Sequence, residues 1–422
     1  MPGNRWDLAD LAAPADRAER SVSVVVTHFE QPVQLARTLD ALARQTRWPT
    51  QVVVADDGSA EPPSVPTGVE LVRQPDRGFR AAAARNLGAA RCRGDLLVFL
   101  DADTSPEPEF LELITALPAR LPELLAVGRR RHVDLSATAG PVLLPEPRWL
   151  AEAYERSGDL LRADEGSYRF VISAVLACSR WWFEELGGFD ETFEAYGGED
   201  WDLAHRSWTR GGLVAHVPGA VAWHDGPDAG LAPRKHAGSG TDSATLETAA
   251  VARRVSAPGA AYRGLLLGTH DLVVTSSDDL GRRELSITLD GLLAACPRTV
   301  VRLAPHQAAW FDADPRITAY DEFCWRSDVA RLHLHLHAGA VGDPGAWTRV
   351  VTALDDQCDL ATVHVTGDGI LLAELRDLRL HRRVERWAAR RDRSDLLRKA
   401  TLASDLHAVV DTSLQAWLGG WA

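Results

Sequence analysis

The sequence predicts an α/β protein: a mostly parallel sheet with helices on both faces, followed by a smaller α/β domain. Two observations carry that prediction. Short β-branched runs alternate, through the first half of the chain, with segments whose apolar residues recur every three or four positions. Polar and acidic residues collect just beyond those runs, at Thr27–Glu30, Asp56–Ser59 and Asp101–Asp103. That is the edge at which parallel sheets of this kind bind ligands.

Residues 1–20 form a polar, charged N-terminal extension without the apolar stretch of a secretory leader. Val22–Val26 reads as the first strand, and Leu35, Leu39 and Leu42 mark the helix after it. Val52–Val54 is a second strand and ends in Asp56-Asp57-Gly58-Ser59, a turn signal. Leu71–Val72 supplies a third strand, and the alanine run within Arg80–Ala90 a helix. Leu96–Leu100 is a fourth strand ending in Asp101-Ala102-Asp103, and Pro106 and Pro108 introduce a helix over Phe110–Leu117. These elements assign one domain to residues 21–226. Residues 227–260 are rich in Gly, Pro, Ser, Thr and Ala and read as a flexible loop or linker.

Order resumes in residues 261–422, with Leu272–Thr275 a strand, Leu285–Ala295 a helix and Thr299–Leu303 a strand. The two halves share a weak pattern. Thr38-Leu39-Asp40-Ala41-Leu42 returns as Thr288-Leu289-Asp290-Gly291-Leu292, and Leu96–Asp103 is echoed by Leu332–Gly339. That register sets His337-Ala338-Gly339 where the first half has Asp101-Ala102-Asp103. A degenerate second copy and a chance likeness between α/β segments both account for it.

Composition excludes several classes. The formal net charge is −13, which repels phosphate backbones and argues against nucleic acid as a partner. No apolar run approaches the roughly 20 residues of a membrane-spanning helix. The five cysteines are odd in number, widely spaced and form no CxxC, against a disulfide framework or structural zinc and for a reducing cytoplasm.

Asp101 and Asp103 lie two apart at a strand end, so both carboxylates can leave one face of the sheet and suit a hard divalent cation. The acidic turn at Asp56-Asp57 can accept from a base edge or ribose, or form an ordinary Asx turn. Gly187-Gly188-Phe189-Asp190-Glu191 and Gly197-Gly198-Glu199-Asp200 form the most specific stretch. Their glycines admit backbone closed to other residues, and a carboxylate there can act as a general base. Among Trp181, Trp182, Trp201, Trp208 and Trp223, Trp201 is the candidate to stack on a ligand ring and the others read as core. The alternating His333, His335 and His337 read as structural.

In order, Thr27-His28-Phe29-Glu30, Asp-Asp-Gly-Ser, Asp76-Arg77-Gly78 followed by Ala84-Arg85-Asn86, Asp-x-Asp, Gly-Gly-Phe-Asp-Glu with Gly-Gly-Glu-Asp, and Trp223-His224 resemble the family 2 glycosyltransferases of the GT-A fold. The likeness is to the branch with capsule and chondroitin-type transferases, and covers about Ser21–Gly226. It implies that Thr27, Phe29, Glu30, Asp56, Asp57, Arg85, Asp101 and Ala102 bind a nucleotide sugar. Within that set, Thr27, Phe29 and Asp57 (or Asp56) take the base, Arg85 lies near the base or diphosphate, and Asp101 meets the ribose or sugar. Asp103 and His224 would ligate Mn2+ or Mg2+, Asp200 would be the catalytic base, and Glu199 would contact acceptor or donor sugar. One departure is that Phe29-Glu30 replace the family's Tyr-Asn.

The resemblance therefore implies a cytoplasmic, metal-dependent, inverting transferase that uses a UDP-hexose, glucose foremost. The expected acceptor is a small hydroxylated molecule such as an aminocyclitol of the validoxylamine kind. The alternatives are a capsule or cell-wall saccharide as acceptor and, from another class, a non-catalytic sugar-nucleotide-binding assembly partner. Arg234, Lys235 and His236 are candidates for a lid over the diphosphate, and the C-terminal domain for homodimerisation or acceptor shaping.

Overall fold

The computed structural model describes residues 3–9, 20–137, 140–194, 197–227, 240–257, 259–262, 264–320, 329–355, 360–388 and 397–419. They separate into two compact units. One is made by 4–208 and 212–251, the other by 252–422 with 1–3 and 209–211.

The first unit runs β1 (Val22–His28), α1 (Pro32–Leu42), β2 (Gln51–Asp56), β3 (Val69–Arg73), α2 (Ala81–Ala89), β4 (Leu96–Asp101), β5 (Thr104–Pro106) and α3 (Phe110–Ala116). It continues with β6 (Leu124–Asp134), β7 (Val142–Leu144), α4 (Arg148–Ser157), β8 (Val175–Ser179), α5 (Arg180–Leu186), α6 (Glu199–Thr209) and β9 (Leu213–Asp225). The sheet order is β3-β2-β1-β4-β8-β6-β9-β5, with β7 on β6. The strands β3, β2, β1 and β4 are parallel; β8 then runs antiparallel to both β4 and β6, and β6 is parallel to β9. Val24–Val26 and Leu96–Leu100 are wholly buried, as expected of strands covered on both faces. The α/β class and the first four strands are those the sequence predicts.

The helix α2 lies close on this sheet because its inner face is small. Ala81–Ala84 are buried, and a Cβ added at Gly88 would meet Val25 Cγ1 at 2.5 Å and Ala55 Cβ at 3.1 Å.

One expectation needs correction. Part of 227–260, read from composition as loop, is helix α7 (Gly240–Arg254). Its run Thr248-Ala249-Ala250-Val251-Ala252 is helix-compatible, and burial of Val251 and Ala252 outweighs the Gly and Ser before them.

The second unit contains β10 (Leu272–Ser276), α8 (Arg282–Ala295), β11 (Thr299–Leu303), α9 (Pro305–Ala308), β12 (Ile317–Ala319), β13 (Leu332–Leu336), β14 (Ala340–Val341) and α10 (Pro344–Val351). After these come β15 (Leu360–Gly367), β16 (Ile370–Asp377), α11 (Leu378–Trp387), β17 (Arg398–Ala403), β18 (His407–Ala408) and α12 (Leu414–Gly419). Its main sheet is ordered β12-β11-β10-β13-β16-β15-β17. Leu332, Leu334 and Leu336 face a core shared with Leu285, Leu289 and Trp347. His333 and His335, on the other face of β13, share Thr275 Oγ1, each at 2.8 Å.

We expect Gly88→Ala to destabilise the protein although alanine favours helix. Overpacking costs about 1–3 kcal/mol, against roughly 1 kcal/mol of propensity gained. A lower urea midpoint checks this, and a midpoint raised by the substitution contradicts the tight helix–sheet contact.

Candidate active site

The strand ends predicted as a ligand edge meet in one place. Thr27 on β1 pairs with Asp101 on β4, and its hydroxyl is buried without a partner. Phe29 is 46% exposed. Glu30 has a φ of 52°, and its carboxylate accepts from the Ala60 N–H at 2.6 Å.

Beneath this rim lies a cluster that the motifs did not reveal. The Gln31 N–H donates to His28 Nε2 at 3.2 Å, so the proton sits on His28 Nδ1, which donates to Asp56 Oδ1 at 2.7 Å. Asp56 also accepts from Ser59 Oγ at 2.6 Å and Arg73 Nε at 2.8 Å. Burial alone would raise its pKa, but these bonds hold the carboxyl below its ordinary value. The fully buried Asp56 is thus a brace for the turn. Asp57 is the better placed of the two acids, yet it too accepts, from Gln74 and from the Arg80 N–H at 2.8 Å; burial pushes its pKa up.

The predicted metal ligands lie together. His224 Nδ1 is 3.1 Å from Asp103 Oδ1, and Gln31 Nε2 donates to Asp103 Oδ2 at 2.9 Å. The His132 ring packs edge-on against His224, with centroids 5.1 Å apart. One carboxylate and one imidazole suit Mn2+ or Mg2+ when diphosphate and water complete the shell, as for cations held partly by substrate phosphates. Among the described residues no group of three or more His, Cys, Asp or Glu is arranged as an all-protein metal site. Ala102, between the two aspartates, has its methyl buried and both backbone groups engaged, its N–H donating to Thr27 O and its carbonyl accepting from Thr38.

Arg85 joins this edge to the acidic helix start. Its Nη2 donates to Asp101 Oδ1 at 2.9 Å and its Nη1 to Glu199 Oε1 at 2.7 Å. Burial would lower the guanidinium pKa, but Asp101 and Glu199 hold it above the ordinary value. The second oxygen of Glu199 is buried without a partner. Asp200 accepts from the Trp201 N–H at 2.8 Å and the Ser173 N–H at 3.3 Å. Burial, then the charge of Glu199, pushes Asp200 up to about 7, with Arg85 opposing. That is the range in which a carboxylate serves as a general base near neutrality.

Glycines allow the chain to reach this arrangement. Gly188 (φ +73°) has no room for a Cβ, which would meet Asn86 Oδ1 at 2.7 Å; Asn86 in turn clamps the Phe189 backbone. Gly198 (φ +103°) would strike the Phe193 ring at 2.8 Å.

Residues 23–169 match the family model described as Glycosyl transferase family 2, and residues 164–223 match "N-terminal domain of galactosyltransferase". Residues 23–169 thus carry a family 2 glycosyltransferase domain. Its sheet has the parallel β3-β2-β1-β4 core of the α/β class expected from the sequence. The chain is 30% identical over 239 residues to hyaluronan synthase of Pasteurella multocida, covering 49% of this chain and 24% of the relative. To validoxylamine A glucosyltransferase of Streptomyces hygroscopicus subsp. limoneus it is 30% identical over 231 residues, covering 45% and 48%. To pre-mycofactocin glycosyltransferase of Mycobacterium tuberculosis it is 31% identical over 219 residues, covering 50% and 44%. The chain therefore spans between a quarter and half of the length of these relatives.

Within the glycosyltransferase domain, Trp201 is half-buried with its ring 6.1 Å from Tyr168. Trp182 and Trp208 are buried and donate to Ser207 and Glu165, and Trp223 donates to Glu107. Trp181 is 40% exposed, unlike the core residue expected. Arg234, Lys235 and His236 lie outside the described residues. His28, Gln31, Ser59, Arg73, Gln74 and His132 were missed. Only His28, inside the Thr-His-Phe-Glu run, and Ser59, inside the Asp-x-x-Ser turn, stand in motifs that the sequence offers.

If Asp200 must be ionised to act, kcat/KM should rise with pH through about 7 and level off above it. Arg85→Met removes the charge that favours the carboxylate, so it should move this limb to higher pH. A loss of rate with an unmoved limb would mean that Arg85 acts only on structure.

Proposed function

We propose that the protein is a divalent-metal-dependent, inverting glycosyltransferase. On this reading it moves a hexose, glucose foremost, from a UDP-sugar to a hydroxyl of a small hydroxylated acceptor such as an aminocyclitol. The observation that carries it is the convergence of Asp101, Asp103, His224 and Asp200, linked through the Arg85 bridge.

The donor base would lie between Thr27, Phe29 and Asp57, with the unpartnered Thr27 hydroxyl available to it. Asp101 would meet the ribose or sugar while bonded to Arg85. Asp103 and His224 would hold Mn2+ or Mg2+, which when bound neutralises the departing diphosphate. Asp200 takes the proton of the acceptor hydroxyl as that oxygen bonds to the anomeric carbon and the bond to UDP breaks. Glu199, its free oxygen buried beside Asp200, would orient acceptor or donor sugar. Trp201 would offer a face to the acceptor ring.

The relative named for validoxylamine A supports a small acceptor. The relative named hyaluronan synthase favours a second reading, a capsule or cell-wall saccharide. A helix long and apolar enough to cross a membrane is absent among the described residues.

Donor hydrolysis across nucleotide sugars should single out UDP-hexoses, and thorough chelation should abolish it. With UDP-glucose, turnover of validoxylamine A but not of oligosaccharides is expected; the reverse selects the saccharide reading. Asp200→Asn should retain UDP while transfer falls by at least a hundredfold. Undiminished turnover would remove Asp200 as the base.

A further inference from the structure

The two units repeat one plan strand by strand. In the first unit the parallel strands stand in the order β3-β2-β1-β4, with an antiparallel strand beside β4. In the second the parallel strands stand as β12-β11-β10-β13, with antiparallel β16 beside β13. The registers coincide, since Val22 pairs with Leu96 and Leu272 with Leu332. Laying Val22 on Leu272 puts Thr38 on Thr288, and laying Leu96 on Leu332 puts Asp101 on His337, Asp103 on Gly339 and Thr104 on Ala340.

Side chains follow the same plan where they serve the fold. Thr38 and Thr288 are both wholly buried in the helix after the first strand. Each bonds to backbone just past the fourth strand, Thr38 to Ala102 O and Thr288 to the Ala340 N–H, both at 2.8 Å. A short strand follows in each unit and finds an antiparallel partner, Thr104 opposite His224 and Ala340 opposite Ala408. The helices α3 and α10 come next.

The likeness ends at the groups that would carry chemistry. Where the first unit has Asp101, Asp103 and His224, the second has His337, Gly339 and Ala408. No Gly-Glu-Asp occurs after residue 252. The unpartnered Thr27 hydroxyl corresponds to Ser277, whose Oγ lies 3.4 Å from His335 Nε2. The wholly buried Gln307 donates to the Ser277 and Leu280 carbonyls at 3.0 and 3.1 Å, occupying the strand end that Thr27 leaves open. The carboxylate–imidazole pair of Asp103 and His224 thus has no counterpart at the matching positions Gly339 and Ala408.

We propose that the C-terminal unit is a second copy of the donor-binding half whose donor chemistry has been lost. The chain then has one donor site and adds one sugar per encounter, rather than alternating two donors. This rests on the reading of the first unit as the donor site. Calorimetric titration of the full chain with UDP and Mn2+ tests it. One UDP per chain is expected, with affinity at least tenfold weaker in an Asp103→Ala, His224→Ala double variant whose thermal unfolding matches the wild type. The exposed His337→Ala should leave stoichiometry and affinity unchanged. Two UDP per chain, binding undiminished in the double variant, or loss of a UDP in His337→Ala would overturn the one-site proposal. No binding to the wild type would overturn the donor reading of the first unit, and this proposal with it.

Discussion

A buried guanidinium bridging two carboxylates holds the site together. Arg85 is 4% exposed and joins Asp101, at the end of β4, to Glu199, at the start of α6. A charge so desolvated is tolerated only when paired, and removing one partner of such a pair costs about 3–5 kcal/mol. The bridge therefore fixes the helix start that presents Asp200 relative to the sheet edge that presents Asp103. It also sets a chemical balance. Burial and the charge of Glu199 push the Asp200 carboxyl up, and the Arg85 guanidinium opposes them.

The rest of the fold supports that bridge. The alanine face of α2 and Gly88 let the helix carrying Arg85 lie directly on β1 and β2. Thr38 pins the Asp-x-Asp segment through Ala102. Asn86, one residue after Arg85, clamps the Gly188-Phe189 backbone, so the same turn of helix holds both sides of the site. Asp101 is placed by the end of β4 and Asp200 by the first turn of α6, while Asp103 sits in the two-residue turn that joins β4 to β5.

Much of this was legible in the sequence because its signals are local. Val22–Val26 and Leu96–Leu100 announce buried strands, Asp101 closes the second of them with Asp103 just beyond, and the Gly-Gly-Glu-Asp run opens a helix. What escaped depends on partners distant in the chain. Asp56 looks like a free carboxylate in its turn, and only the approach of His28 and Arg73 shows it to be consumed. Arg85 could be placed near the ligand, but its bond to Glu199 spans over a hundred residues. The helix α7 was hidden because Gly, Pro and Ser around it dominate the local composition.

The central claim is a single displacement in which Asp200 deprotonates the acceptor while UDP leaves from the opposite face. Proton NMR of the glycoside formed from an α-linked UDP-sugar tests it most directly, through the coupling at its anomeric proton. The account predicts a β-linked glycoside, and an α-linked product would contradict it.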